Sequence, residues 1–116
     1  MIEVLDLALS IRQPYVEMIL TREKRIEYRS RRTHVRGRVY LYAGKTYELG
    51  NEGWPEARVE VLPMGMIVGS VEIVDCIPWA TGKGFDWCLI KPIRYCEPWA
   101  PIGVPMPVFW KPKGRQ

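Results

Sequence analysis

Apolar residues recur along this chain in short runs with two different periods. Tyr15, Met18 and Ile19 stand at i, i+3, i+4 spacing, and Val16 and Leu20 fall on the same repeat, the mark of one helical face. The spacing predicts a short helix from Pro14 to Arg22. Pro14 suits a first helical position, where its missing N–H costs nothing. Before the helix, Val4 to Leu9 is read as a strand, and Ser10-Ile11-Arg12-Gln13-Pro14 as a turn. After it the period drops to two: Ile26 and Tyr28 alternate with Arg25, Glu27, Arg29 and Arg31, which puts Glu27 and Arg29 on one face of a second strand. Val35-Arg36-Gly37-Arg38 reads as a loop into Val39 to Ala43, which is rich in β-formers. The stretch from Gly44 to Leu62 is the least regular, with one helical turn predicted around Trp54 to Arg58. Met66 to Asp75 is the clearest strand, and its internal Gly69 predicts a bulge or a close backbone approach. Phe85 to Ile90, Ile93 to Cys96 and Val108 to Lys111 are three further short strands. Many short strands and one early helix describe an α+β, mainly β chain, organised as a small β-barrel.

The length of 116 residues fits one domain, read as residues 1–111, with 112–116 as a flexible basic tail. Ten Pro and ten Gly are spread along the chain and punctuate many short elements. No apolar run approaches the roughly 20 residues of a membrane span. Met1 to Asp6 carries acids where a secretory leader has bases, so the sequence is read as cytoplasmic. Three cysteines without a C-x-x-C pair, and a single histidine, describe neither a disulfide framework nor a zinc site. Cys76, Cys88 and Cys96 sit in strand-like apolar contexts and read as reduced, buried thiols. No cofactor is implied.

Charge changes the picture. The formal net charge is +4, yet the segment from Thr21 to Arg38 alone holds eight basic residues and two acids, a net +6, leaving −2 for the rest. Seven of those eight bases are Arg, the side chain suited to forked contacts with phosphates and bases. A polyanion is the natural partner.

Two polar clusters flank the predicted helix: Ser10, Arg12 and Gln13 before it, and Lys24, Glu27 and Arg29 after it. A helix of about nine residues rises about 13 Å, so the clusters meet only if the second strand runs back along the first. The helix would then wall a cleft.

Leu9-Ser10-Ile11-Arg12-Gln13-Pro14-Tyr15, followed by Lys24-x-x-Glu27-x-Arg29-Ser30, resembles the signature of the ASCH family, whose motif reads G-x-K-x-x-E-x-R. The likeness continues through Arg36 to Val39, Gly65 to Cys76 and Pro92 to Trp110. It is closest in flavour to the ASCH domain at the C-terminus of a eukaryotic transcriptional coactivator, here free-standing. The resemblance implies a PUA-like β-barrel with the short helix after strand 1 forming a wall of a ligand cleft. It also implies binding of RNA or DNA there, RNA favoured, with a nucleotide or modified nucleoside as the bound unit. The motif glycine is Arg22 here. If Arg22 takes the left-handed conformation of that glycine, it carries roughly 1 kcal/mol of strain.

On this reading Ser10, Arg12, Gln13, Lys24, Glu27 and Arg29 line the cleft, and Arg31, Arg32 and Arg36 follow phosphates. Trp87 and Trp110 are the leading candidates to stack a base, with Tyr15 and Trp79 behind them. Glu27 is suited to accept from an exocyclic amine. Ser10 equally suits a helix cap. No catalytic residue is assigned. Some ASCH-like amidohydrolases use a K-x-x-T-x-R arrangement with a threonine nucleophile. Glu27 stands at that position and cannot do a hydroxyl's work by the same route. Hydrolysis of RNA or of a modified nucleoside, with Lys24 and Glu27 as its residues, is the first alternative. A protein-interaction module of the transcription-coactivator adaptor type is the second, with the Pro98 to Pro105 stretch, which equally suits a barrel-closing loop, as its one candidate surface. No membrane partner is implied.

Overall fold

A computed structural model describes residues 4–50 and 53–114. The elements follow in the order β1 (Ala8–Gln13), α1 (Tyr15–Leu20), β2 (Ile26–Arg29), β3 (Gly37–Tyr47), α2 (Glu56–Val59), β4 (Met66–Pro78), β5 (Phe85–Trp99) and β6 (Phe109–Trp110). The strands form one sheet in the order β2-β5-β4-β3-β1-β6. That sheet curls into a half-barrel with the short helix after β1, consistent with a PUA-like fold. β1 runs parallel to β3, whereas every other pairing is antiparallel.

The first strand lies later than its apolar composition suggested. Val4 to Leu7 precede it, and the segment read as a turn is instead its second half. The reason is visible in the alternation: Leu9, Ile11 and Gln13 are buried, while Ser10 is half-buried and Arg12 exposed. Polar side chains on the alternate face looked like turn chemistry but mark a strand with one wet side. The helix is shorter than predicted, and Pro14 precedes its first residue. β2 ends at Arg29 rather than reaching Arg31. The two strands expected over 85–96 are one long strand, with Lys91 in the left-handed region at φ 52° where the register slips.

The main core gathers Leu9, Ile11, Val16, Ile19, Leu41, Val71, Ile73, Trp87 and Leu89. α1 contributes Val16 and Ile19 and is tied to β5 by a two-pronged ion pair, with Arg94 donating to both carboxylate oxygens of Glu17 at 2.8 Å. That contact raises the Arg94 pKa, through its hydrogen bond to Glu17 first.

Gly69 fulfils both of its expectations. The β3–β4 register slips between Leu41 and Tyr42, and the β4–β5 register between Ile67 and Gly69. A Cβ at Gly69 would collide with the Ile93 carbonyl oxygen and stand 2.9 Å from the Leu20 side chain. Arg22 takes the glycine-like conformation at φ 69°, directly after the helix cap Thr21. It therefore accepts the left-handed strain rather than avoiding it.

The cysteines divide by burial. Cys76 is buried, as expected, but Cys88 is half-buried and Cys96 is exposed. Cys96 lies in the largely exposed second half of β5, which composition alone did not reveal. Burial first, and then the nearby Asp75 and Asp86 carboxylates, raise the Cys88 thiol pKa. Within the expected tail, Lys113 pairs with Ile102, whose N–H donates to the Lys113 carbonyl at 2.9 Å. Arg115 and Gln116 lie outside the described residues, as do Met1 to Glu3, on which half of the leader reading rested, and 51–52 of the irregular stretch. Among the described residues no helix is long and apolar enough to cross a membrane.

Because the obstruction at Gly69 is backbone rather than a movable side chain, Gly69→Ala is expected to lower stability by about 3 kcal/mol. The check is a lower urea midpoint with an unchanged slope; an unaltered midpoint would show that the two strands do not press together here.

Candidate functional site

Period-two geometry sends Glu27 and Arg29 inward from β2, the edge strand, and the structure joins them: Arg29 Nε donates to Glu27 Oε2 at 2.7 Å. The same guanidinium donates through its NH2 group to the backbone carbonyl of Ser10 at 2.8 Å. β2 does not pair with β1; it pairs with β5 and lies four positions from β1 in the sheet. The curl of the sheet brings β2 round to face β1, and Arg29 spans the gap. Behind it, the guanidinium lies 5.4 Å from the Trp87 ring centre, and Trp87 stacks on Phe109 at 5.5 Å and 7°.

Lys24, in the link between α1 and β2, completes the group. Its Nζ is 3.6 Å from Glu27 Oε1 and sits between two aromatic rings, 5.4 Å from the centre of Tyr15 and 4.7 Å from that of Tyr28. Such cation–aromatic contacts hold an ammonium where little water reaches it. Glu27 is buried, and each of its oxygens faces a cation. A buried carboxylate requires such compensation.

These groups floor an open cleft of about 860 Å³, within the range of small-ligand sites. Tyr15 and Tyr28 stand on one side. Tyr42 and residues 44–46 near the end of β3 also line the cleft, and the segment Val104 to Pro107 forms a lip. At the rim Arg12 donates to Glu48 at 2.8 Å, with both side chains largely in solvent. Burial raises the Tyr42 pKa. The helix contributes Tyr15 to the cleft wall, which carries out its expected role with one residue.

The sequence-predicted residues thus separate into groups. Ser10, Arg12, Lys24, Glu27 and Arg29 do converge. Gln13 does not join them: it is buried, donates to the Pro63 carbonyl and accepts from the Glu17 N–H, so it fastens the helix start to a loop. Ser10 Oγ is neither a helix cap nor a group directed only at a ligand; it accepts from Trp110 Nε1 at 2.9 Å and donates to the Met106 carbonyl at 2.6 Å. Trp87 is 2% and Trp110 8% exposed, and both ring N–H groups are used internally, that of Trp87 on the Arg31 carbonyl. Their faces are spent on packing, and the expectation that they stack a base is corrected. Indole size favours the core whenever a small barrel has one.

Arg31, Arg32 and Arg36 are exposed and lie outside the cleft lining, on the link from β2 to β3. Arg32 covers the Phe85 ring at 5.0 Å, and Arg36 donates to the carbonyls of Thr33 and Val35. Sequence reasoning missed Tyr28, Lys45 and the Val104 to Pro107 lip. Tyr28 carried one usable signal, an aromatic residue at an outward position of a charged edge strand.

A comparison with protein-family models matches residues 9–94 to the ASCH domain. That match spans most of the chain and contains the whole ion-pair floor. The chain belongs to the ASCH domain family. ASCH domains are PUA-like RNA-binding modules. Compared with curated proteins, this ASCH chain matches none. Among its described residues no group of three or more His, Cys, Asp and Glu is placed to hold a metal ion.

Arg29→Lys keeps the charge but cannot reach the Glu27 carboxylate and the Ser10 carbonyl together. It is expected to cost about 2 kcal/mol of stability, read as a fall in the urea midpoint. Full retention of stability by the lysine variant would show that the two-way bridge contributes nothing beyond charge.

Proposed function

We propose that this ASCH domain binds single-stranded RNA, holding one nucleotide in the cleft while the Arg31, Arg32 and Arg36 segment contacts phosphates. The observation that carries this reading is the buried Glu27 carboxylate, fixed between Lys24 and Arg29 at the base of a cleft with aromatic walls. A carboxylate at that depth accepts from an amine or ring N–H of a base, and the flanking cations donate to base carbonyls or phosphate oxygens. Tyr15 and Tyr28 supply ring faces in place of the two buried indoles. RNA is chosen over DNA here because ASCH domains are a family of RNA-binding modules.

The same geometry favours holding a ligand over turning it over. Both Glu27 oxygens are engaged by cations, and the Lys24 ammonium is enclosed by two rings. A proton transfer by either group would have to break those contacts first.

Binding is to be followed by fluorescence anisotropy with a labelled single-stranded RNA across a salt series. The triple variant Arg31→Ala, Arg32→Ala, Arg36→Ala is expected to bind more weakly and to flatten the log K against log salt slope by about 2, one increment of about 0.7 per lost phosphate contact. Lys24→Ala and Glu27→Gln are expected to weaken binding while leaving that slope nearly unchanged for Glu27→Gln. Equal affinity in all these variants would sink the reading. Product formed from RNA or an acylated nucleoside by the wild type, and lost in both cleft variants, would replace it with the hydrolase alternative.

A further inference from the structure

The aromatic character of the cleft does not stop at its rim. Tyr28 alternates with the inward-facing Glu27 and Arg29 along β2; it lines the edge of the cleft and is 59% exposed. Its ring makes an edge contact with Trp79 at 6.2 Å and 60°. Trp79 follows β4 at the start of the hairpin into β5 and is 40% exposed, unlike the sequestered Trp87 and Trp110.

Trp79 is held rather than loose. Its ring N–H donates to Asp86 at 2.7 Å, and its backbone N–H donates to the Gly84 carbonyl at 2.9 Å. The ring lies directly over Gly84, where a Cβ would stand 2.7 Å from its carbons. Asp86 in turn pairs with Tyr28 across β2 and β5. The residue whose carboxylate holds the Trp79 indole is thus also the strand partner of Tyr28. A fixed, solvent-facing indole whose edge is already hydrogen-bonded presents a flat face that needs no reorganisation to accept a stacked ring.

We infer that Trp79, continued from the cleft by Tyr28, is a second stacking subsite, taking the base adjacent to the nucleotide held over Glu27. This rests on the cleft reading above and extends it: the ligand is a strand of at least two nucleotides, not a free nucleotide. The occupant follows from the surroundings. The rings are continuous with a cleft whose floor is cationic and lie beside the segment holding the molecule's excess positive charge. A single strand offers ring faces and phosphates together, whereas a duplex keeps its bases stacked on one another.

The test compares each ribonucleoside 5′-monophosphate with the corresponding 5′-phosphorylated homodinucleotide by isothermal titration calorimetry at high salt, where the added phosphate counts least. With wild-type protein the best dinucleotide is expected to bind about tenfold more tightly than its mononucleotide, the scale of one stacked base. Trp79→Ala is expected to abolish that gain and leave mononucleotide affinity unchanged. Trp79→Phe keeps a ring face; it is expected to retain most of the gain while losing the part of the tryptophan fluorescence change that the dinucleotide produces. Thermal melts of both variants serve as the folding control. A gain that survives Trp79→Ala, or an equal loss for mono- and dinucleotide, would overturn the second subsite while leaving the cleft standing. Wild-type protein that binds neither ligand would overturn the cleft reading and this inference with it.

Discussion

One guanidinium closes the working end of this protein. Arg29 projects from the edge strand β2 and reaches a carboxylate on its own strand and a carbonyl on β1. Those strands are at nearly opposite ends of a six-stranded order. Hydrogen bonding along the sheet cannot join them, because the intervening strands separate them. The curl supplies proximity, and Arg29 converts it into a fixed distance. An arginine is needed for geometric reasons: its planar fork offers separate donors to separate acceptors, and its face rests on the Trp87 indole while its edge is engaged. The buried Trp87–Phe109 stack supports the ion pair from below.

The rest of the fold serves that curl. Gly69 permits β5 to approach β4 closely at the slip in register, and the absence of a side chain there leaves room for Leu20 of the helix. The first turn of the helix is fastened twice, by Gln13 to the Pro63 loop and by Glu17 to Arg94 on β5. Its C-terminal turn then delivers Lys24 to Glu27, at the cost of a left-handed Arg22. Local strain and a buried charge cluster, each unfavourable alone, occur together where the chain must present polar groups inside a hydrocarbon frame.

Much of this was legible in the residues. Period two over 25–31 set Glu27 and Arg29 on one face, and they form the closest ion pair of the cleft. The helix and the mainly β class were legible for similar local reasons, whereas the left-handed turn at position 22 stood only as one of two options raised by the family's motif glycine. What failed was non-local. Ser10 to Gln13 read as a turn because strand alternation with a wet face uses the same residue types as turns. The meeting of the two clusters was expected through adjacent strands, but it comes through curvature, which no local pattern encodes. Aromatic side chains were the hardest to place: the sequence does not distinguish an indole that packs, as in Trp87, from one that faces water, as in Trp79. Hydropathy is the same for both, and only the closure of the sheet decides.

The lip of the cleft comes from Val104 to Pro107, downstream of the stretch that matches the family. It is anchored through Ser10 Oγ to the Met106 carbonyl and through the Ser10 N–H to the Val108 carbonyl. Floor and lip are therefore separately encoded, one by a compact motif near the start of the chain and the other by a proline-rich ribbon near its end. Such a division lets evolution, or an engineer, exchange the ribbon and retune which ligands are admitted, without disturbing the charged machinery underneath.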